Sequence, residues 1–353
     1  MQVFDVSGSH YDIGLQIGQK FKTSIQQGLK EDLLLQELYF PFHRTEEGQS
    51  LYKRLLALHK RHYLDYAQEI EGMADGAGIP FDELFVANLA REYRGYLSGG
   101  HKAVEFGCST CAYVSDQGIV LGHNEDGISF NKGKMYLVRV SVDHKPSFIA
   151  LCYPGTIPGN AFGFNEYGVF FSCNNVLPDH IKEGIGRTFI SRSMLEAKTM
   201  EDAVACASVE PRANGFHYTV GSLDGSILQS VEMSPDQVFV KDITDTYFHA
   251  NHYINLVDVP QKISSSSKER QTRGEEIRDA IKSAEDIFEV LRDQKNSEYP
   301  IAMDGTDEEK GLTLVMALFD TSRRKVCLYP AGNQEADFSI PLLEFSMDFQ
   351  IRD

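Results

Sequence analysis

Basic residues are scarce in this 353-residue sequence, 34 against 51 acidic ones, and the net charge is −17. Such a surface repels phosphate backbones and anionic lipid, so neither nucleic acid nor a membrane is an expected partner. Cysteine is scarce too: Cys108, Cys111, Cys152, Cys173, Cys206 and Cys327 are spread thinly. That excludes a disulfide scaffold and predicts a reduced, cytoplasmic protein. No stretch approaches the ~20 apolar residues of a membrane helix. The start, MQVFDVSGSHYDIG, lacks a basic region followed by an apolar core, so no secretory signal is expected. The end, FQIRD, is neither a peroxisomal tripeptide nor a prenylation box. No solenoid repeat is present. The glycines between Gly215 and Gly225 do not form a G-x-G-x-x-G turn, which removes the dinucleotide fingerprint.

What remains is an ordinary globular composition, 42% hydrophobic and 24% charged. The first hundred residues read as helical. Apolar positions from Tyr11 to Leu38 and from about Gln49 to Ala77 recur at helical spacing, and a third helix starts at Pro80. After Gly107 the period shortens to that of strands. Cys108 to Val114 and Ile119 to His123 flank the turn Ser115-Asp116-Gln117-Gly118. Further strands are predicted at 135–142, 147–152, 169–174, 216–223, 226–233, 312–319 and 325–329. Helices are predicted near 188–207 and 274–292, a polar loop over Ser264 to Arg273, and a hairpin turn at 322–324. Helices followed by hairpins imply an α+β fold with antiparallel sheets and segregated or sandwiching helices.

The change of period coincides with the residue pair of greatest chemical interest. A thiol that opens a strand can attack the preceding carbonyl when the backbone there is strained. Gly107 permits unusual dihedrals and leaves that carbonyl unshielded. An N→S shift and hydrolysis would free the α-amine of Cys108. Its pKa of roughly 7.7–8.0 suits a base at neutral pH. One residue would then supply nucleophile and base together. Two rival readings use the same region. Cys108-Ser109-Thr110-Cys111 is formally a C-x-x-C, but it continues as strand rather than opening a helix, which disfavours a redox motif. A zinc site built from these cysteines with His123, His249 or His252 lacks the usual ligand spacing, so no metal is expected.

Several segments, in order, resemble the acyl-CoA:6-aminopenicillanic acid acyltransferase family (peptidase family C45), which includes the insect β-alanyl-dopamine hydrolases. They are Val6 to Gly14 with Gly18, Gly107-Cys108-Ser109-Thr110, Gly122-His123-Asn124-Glu125-Asp126, Cys152-Tyr153-Pro154-Gly155, Pro158-Gly159, Asn165-Glu166-Tyr167-Gly168 and His249-Ala250-Asn251-His252-Tyr253. The resemblance implies an N-terminal-nucleophile hydrolase: a four-layer αββα sandwich, one domain over 1–353, autocleaved between Gly107 and Cys108. The 1–107 α chain and 108–353 β chain should stay associated, because neither half patterns as a self-contained core. It implies Cys108 as nucleophile, Asp126 orienting the freed amine, and Asn251 donating to the oxyanion. The family's late arginine has no clear counterpart; Lys310 aligns only loosely and that role stays open. The implied substrate is a small N-acyl amine, cleaved through a thioester without a cofactor. Acyl transfer from a thioester such as acyl-CoA to an amine is the close alternative, and a non-catalytic binding relative the third.

Overall fold

Alternating burial along the strands builds two stacked sheets. The structure, a computed structural model, describes residues 1, 3–97, 107–305, 311–332 and 338–341. Strands β1 (Val3–Gly8), β4 (Tyr136–Val142), β5 (Phe148–Cys152), β6 (Phe162–Asn165), β7 (Val169–Asn175), β8 (Phe216–Ser222), β9 (Leu228–Met233) and β10 (Val238–Asp242) form one sheet in that order. The second has the order β11 (Tyr247–His249), β2 (Ser109–Ser115), β3 (Gly118–Gly127), β12 (Leu312–Asp320), β13 (Lys325–Pro330) and β14 (Phe338–Pro341). Every neighbouring pair is antiparallel except β1 with β4.

Successive strand residues point to opposite faces, and the second sheet divides its apolar residues accordingly. Leu121, Ala317 and Phe319 meet Leu151, Phe162 and Phe170 of the first sheet in the central core. Their neighbours Val120, Met316 and Leu318 turn outward against Ile287 and Leu291 of the helix Ala284–Leu291. On the far side of the first sheet, Val138, Ala150 and Phe171 pack under the N-terminal helices and Phe189 and Ile190 of the helix Arg187–Met194. Three cores between four layers make the expected αββα sandwich, and the N-terminal segment shares its core with later strands.

Two helices of that outer layer, His10–Lys20 and Leu64–Ala77, cross with their backbones in contact. A methyl group at Gly14 or Gly18 would overlap the carbonyls of Glu69 or Met73, and one at Gly72 or Gly76 those of Tyr11 or Leu15. The spacing of four places each glycine pair on one helix face. Ser9 starts the first helix with a reciprocal capping box to Asp12. Beneath the crossing, the fully buried Arg192 Nε donates to both Glu69 oxygens, at 3.2 and 3.1 Å, which ties two helices of the layer together.

Several expectations needed correction. The N-terminal hundred residues are not purely helical, because β1 precedes the first helix and pairs with a strand more than a hundred residues away. The long helix expected over 49–77 breaks at Tyr63, and that over 188–207 divides into Arg187–Met194 and Met200–Ala207. The short strands β6, β10 and β11 carry too few residues to show a period. Most consequential, Ser264 to Arg273 is no loop: Ser264 caps a helix over Ser265–Ile277, and the helix expected from 274 is the shorter Ala284–Leu291.

The glycine crossing yields a direct expectation. Gly72→Val, at a helical position with no room for a side chain, should destabilise the protein by about 1–3 kcal/mol or more. A melting temperature within 1 °C of wild type would show that the two helices can separate without loss.

Candidate active site

Strand pairing brings the thiol and its partners together. Ser109 of β2 pairs with Asn124 of β3, so one further step places Cys108 opposite Glu125. The thiol is almost fully buried at 6% exposure and donates to Glu125 Oε2 at 3.1 Å. Tyr153 Oη donates to Glu125 Oε1 at 2.5 Å, and His123 Nε2 lies 3.5 Å from Oε2. His123 is set in turn by Thr110, whose Oγ1 is 2.9 Å from Nδ1 and donates to Asn174 Oδ1 at 2.7 Å. Burial opposes the charge on Glu125, but hydrogen bonds with His123, Tyr153 and Cys108 outweigh it and hold the carboxyl below its ordinary range. Burial, reinforced by the charges of Glu125 and Asp126, pushes the thiol far above its usual value. In the uncut chain, then, the sulfur is held as a protonated donor.

Asp126 sits next along β3. Its Oδ1 accepts from Thr313 Oγ1 of β12 at 2.7 Å, while buried Oδ2 has no hydrogen-bond partner among the described residues. Burial pushes its carboxyl up to about 7; the Arg270 charge and the Thr313 hydroxyl pull the other way.

Asn251 follows β11. Its carboxamide lies so close to Gly107 that a Cβ there would overlap it, which explains why glycine precedes the thiol. Nδ2 donates to the Asn175 carbonyl at 2.8 Å, leaving the second amide hydrogen of the side chain for another acceptor. The segment is held from both sides. Ser267 Oγ accepts from the Asn251 backbone N–H at 2.8 Å and Gln271 Oε1 from that of Ala250 at 2.9 Å. The Glu232 carboxylate accepts from the backbone N–H groups of Ile254, Asn255 and Leu256 at 2.7 to 2.9 Å.

Arg270 completes the site, and sequence reasoning missed it. It is fully buried; Nη1 donates to the Cys108 carbonyl at 2.7 Å and Ser109 Oγ at 2.8 Å, and Nη2 to Asn251 Oδ1 at 2.7 Å. Its helix carries no hydrophobic period because the buried face is polar: Ser266, Ser267, Arg270, Gln271 and Gly274. The available signal was Ser264 as N-cap, with Ser267 three residues on. The structure thus brings Gly107, Cys108, Asp126 and Asn251 together and adds Glu125 and Arg270. Lys310 lies outside the described residues. Arg91, on the short helix Ala90–Tyr93, is within electrostatic reach of Cys108 and Glu125.

The rival readings separate here. Cys111 packs in the outer core against the helix Ala284–Leu291, as a three-residue offset along an extended chain requires. His249 stacks on His217 and meets Glu232, and His252 meets Ser267. Cys108, His123 and Glu125 do offer sulfur, nitrogen and oxygen donors within 4.8 Å of one another. This set includes neither Cys111 nor His249 or His252, so it differs from the zinc site weighed from the sequence, and it is one ligand short of a closed zinc site.

A buried thiol at a strand start after glycine, at one end of an αββα sandwich, is the arrangement of the enzymes that transfer or hydrolyse acyl groups through an N-terminal nucleophile. The chain belongs to the acyl-coenzyme A:6-aminopenicillanic acid acyl-transferase family, whose sequence profile matches residues 114–335, more than half its length. It is 26% identical to the β-alanyl-dopamine/carcinine hydrolase of Drosophila melanogaster over 368 aligned positions, covering 95% of each chain. It is 23% identical to the 40 kDa form of the acyl-coenzyme A:6-aminopenicillanic-acid-acyltransferase of Emericella nidulans, covering 90% of this chain and 89% of that one. Among solved structures, a mutant of the conjugated bile acid hydrolase from Clostridium perfringens is 15% identical. That match covers 67% of this chain and 93% of that one, with a TM-score of 0.48.

The perturbed Asp126 links stability to pH. A carboxyl whose pKa rises on folding binds a proton as the chain folds, so stability falls as pH rises from 3.8 towards about 7. Denaturant melts of the uncut Cys108→Ala chain should show that decline, and adding Asp126→Asn should flatten it. An equal slope in both would assign the proton to another group.

Proposed function

We propose that the chain cuts its own Gly107–Cys108 bond and that the exposed Cys108 then cleaves the amide of a small N-acyl amine. The observation that carries this is the junction itself. A buried thiol follows a glycine whose Cα is covered by the Asn251 carboxamide, and the carbonyl after it is clamped by Arg270. The chain is therefore held on both sides of the bond to be broken, at Gly107 by Asn251 and at Cys108 by Arg270. Asp126, whose backbone N–H meets the Cys108 sulfur and whose Oδ2 has no partner among the described residues, would accept from the new α-amine.

In the cut enzyme the amine takes the thiol proton as sulfur attacks the substrate carbonyl. The free N–H of Asn251 meets the oxyanion, a contribution worth ~3–4 kcal/mol at comparable donors. The protonated amine then returns its proton to the leaving amine, giving a thioester at Cys108. Water resolves it in the hydrolytic reading. An amine acceptor resolves it in the transfer reading, with an acyl-CoA as possible donor rather than a bound cofactor. Hydrolysis is favoured by the longer and closer likeness to the Drosophila hydrolase. On this reading the 1–107 and 108–353 chains stay together, since helices before the cut share one core with strands after it. No helix among the described residues is long and apolar enough to cross a membrane. All six cysteines are unpaired, in keeping with a reducing cytoplasmic setting.

Intact-mass measurement and N-terminal sequencing test the cut: wild type should give two chains, the larger beginning Cys108-Ser109-Thr110, and Cys108→Ala one. Efficient cleavage of Cys108→Ala would overturn self-processing. Asn251→Ala should mature yet lose roughly 10²–10³-fold in kcat on small N-acyl amines. Turnover near wild type would remove Asn251 from the oxyanion.

A further inference from the structure

Self-processing of this kind has a gap that the geometry fills. The α-amine that serves as base in the mature enzyme is, before the cut, an amide nitrogen and cannot accept a proton. The first turnover therefore needs a different base within reach of the sulfur. Around Cys108 Sγ stand Glu125, Asp126 and His123, with Arg270 on the carbonyl of the same residue. His123 has its nitrogens on Thr110 and on Glu125 Oε2, and the thiol hydrogen bond goes to Glu125 and not to the imidazole. Arg270 is a cation and cannot serve. Asp126 binds Thr313 through one oxygen, and its backbone N–H, not its carboxylate, is what meets the sulfur.

Resting on the self-processing reading above, we propose that Glu125 is the catalytic base of the uncut chain, taking the Cys108 thiol proton so that sulfur can attack the Gly107 carbonyl. Its Oε2 already accepts that proton's hydrogen bond at 3.1 Å, within the reach a general base requires. Tyr153 anchors the other oxygen, so the carboxylate cannot turn away. The residue is itself largely buried, at 8% exposure, on a strand held between β2 and β12.

The step balances without a co-reactant other than water. The thiol proton passes to Glu125 Oε2 as the S–C bond to Gly107 forms. The same proton passes on to the Cys108 nitrogen as the C–N bond breaks, which leaves a thioester, a neutral amine and a restored carboxylate. Water then splits the thioester into the Gly107 carboxylic acid, which ionises, and the thiol. From that moment the free amine stands beside the sulfur and takes over as base. Because the carboxylate is a weaker base than a thiolate, proton transfer runs together with attack, and processing is a slow, single event.

The test follows precursor loss by intact mass in the full-length chain, for wild type, Glu125→Gln, Glu125→Asp and Glu125→Ala. Glu125→Gln keeps size and shape and should slow the cut at least ~10²-fold. Glu125→Asp should fall between, and Glu125→Ala should regain cleavage as sodium formate, a small carboxylate, is added. A variant that merely disturbed packing would not respond to formate. Cleavage of Glu125→Gln within threefold of wild type, or no formate response in a Glu125→Ala chain that melts like Cys108→Ala, overturns the role of Glu125 and leaves self-processing intact. A wild-type chain that never cuts overturns both.

Discussion

A single buried guanidinium holds the site together. Arg270 carries a permanent charge in a fully buried position, where an unpaired cation is strongly destabilising. Its nitrogens are spent on the Cys108 carbonyl, the Ser109 and Ser266 hydroxyls and the Asn251 carboxamide. To keep the charge satisfied, the start of β2, the end of β11 and the helix Ser265–Ile277 must meet at fixed distances. That meeting point is where the chain would be cut. Loss of Arg270 would leave several buried acceptors unmet at once, so the geometry of Cys108 and that of Asn251 cannot be altered separately.

The electrostatics around this cation divide two adjacent carboxyls between different tasks. Glu125 and Asp126 are neighbours in β3, and both are desolvated. Glu125 accepts from Tyr153 and Cys108, lies against His123 and stays charged in spite of burial, whereas Asp126 accepts from Thr313 alone among the described residues and drifts up to about 7. Like charges in one site are driven apart in this way whenever hydrogen bonds are shared unequally. One carboxylate is thereby ready for the thiol of the uncut chain. The other keeps an oxygen with no partner among the described residues, which on the proposed reading would take the freed amine.

The scaffold explains why a cut at residue 107 need not release the first segment. The glycine-paired helices and the Arg192–Glu69 pair belong to a core that also contains strands from β4 to β9. Strand β1 adds main-chain hydrogen bonds to β4. One broken peptide bond removes none of these contacts.

By itself the sequence determined what depends on local pattern and residue type. Period-two alternation showed β2, β3, β12 and β13 within a residue or two, apart from the longer end of β3. The ordered motifs marked Gly107, Cys108, Asp126 and Asn251. Other features were decided only by the tertiary structure. Glu125 lies next to an Asp in the chain, and nothing local says that it, rather than Asp126, faces the sulfur; the antiparallel register of β2 on β3 does. Arg270 stayed hidden because the helix that carries it buries serines, a glutamine and an arginine, and so shows no apolar stripe. Hydrophobic periodicity reports a helix only when the buried face is apolar. A face buried to build a polar site is invisible until the chain on its other side, here Cys108 and Asn251, is in place to satisfy it.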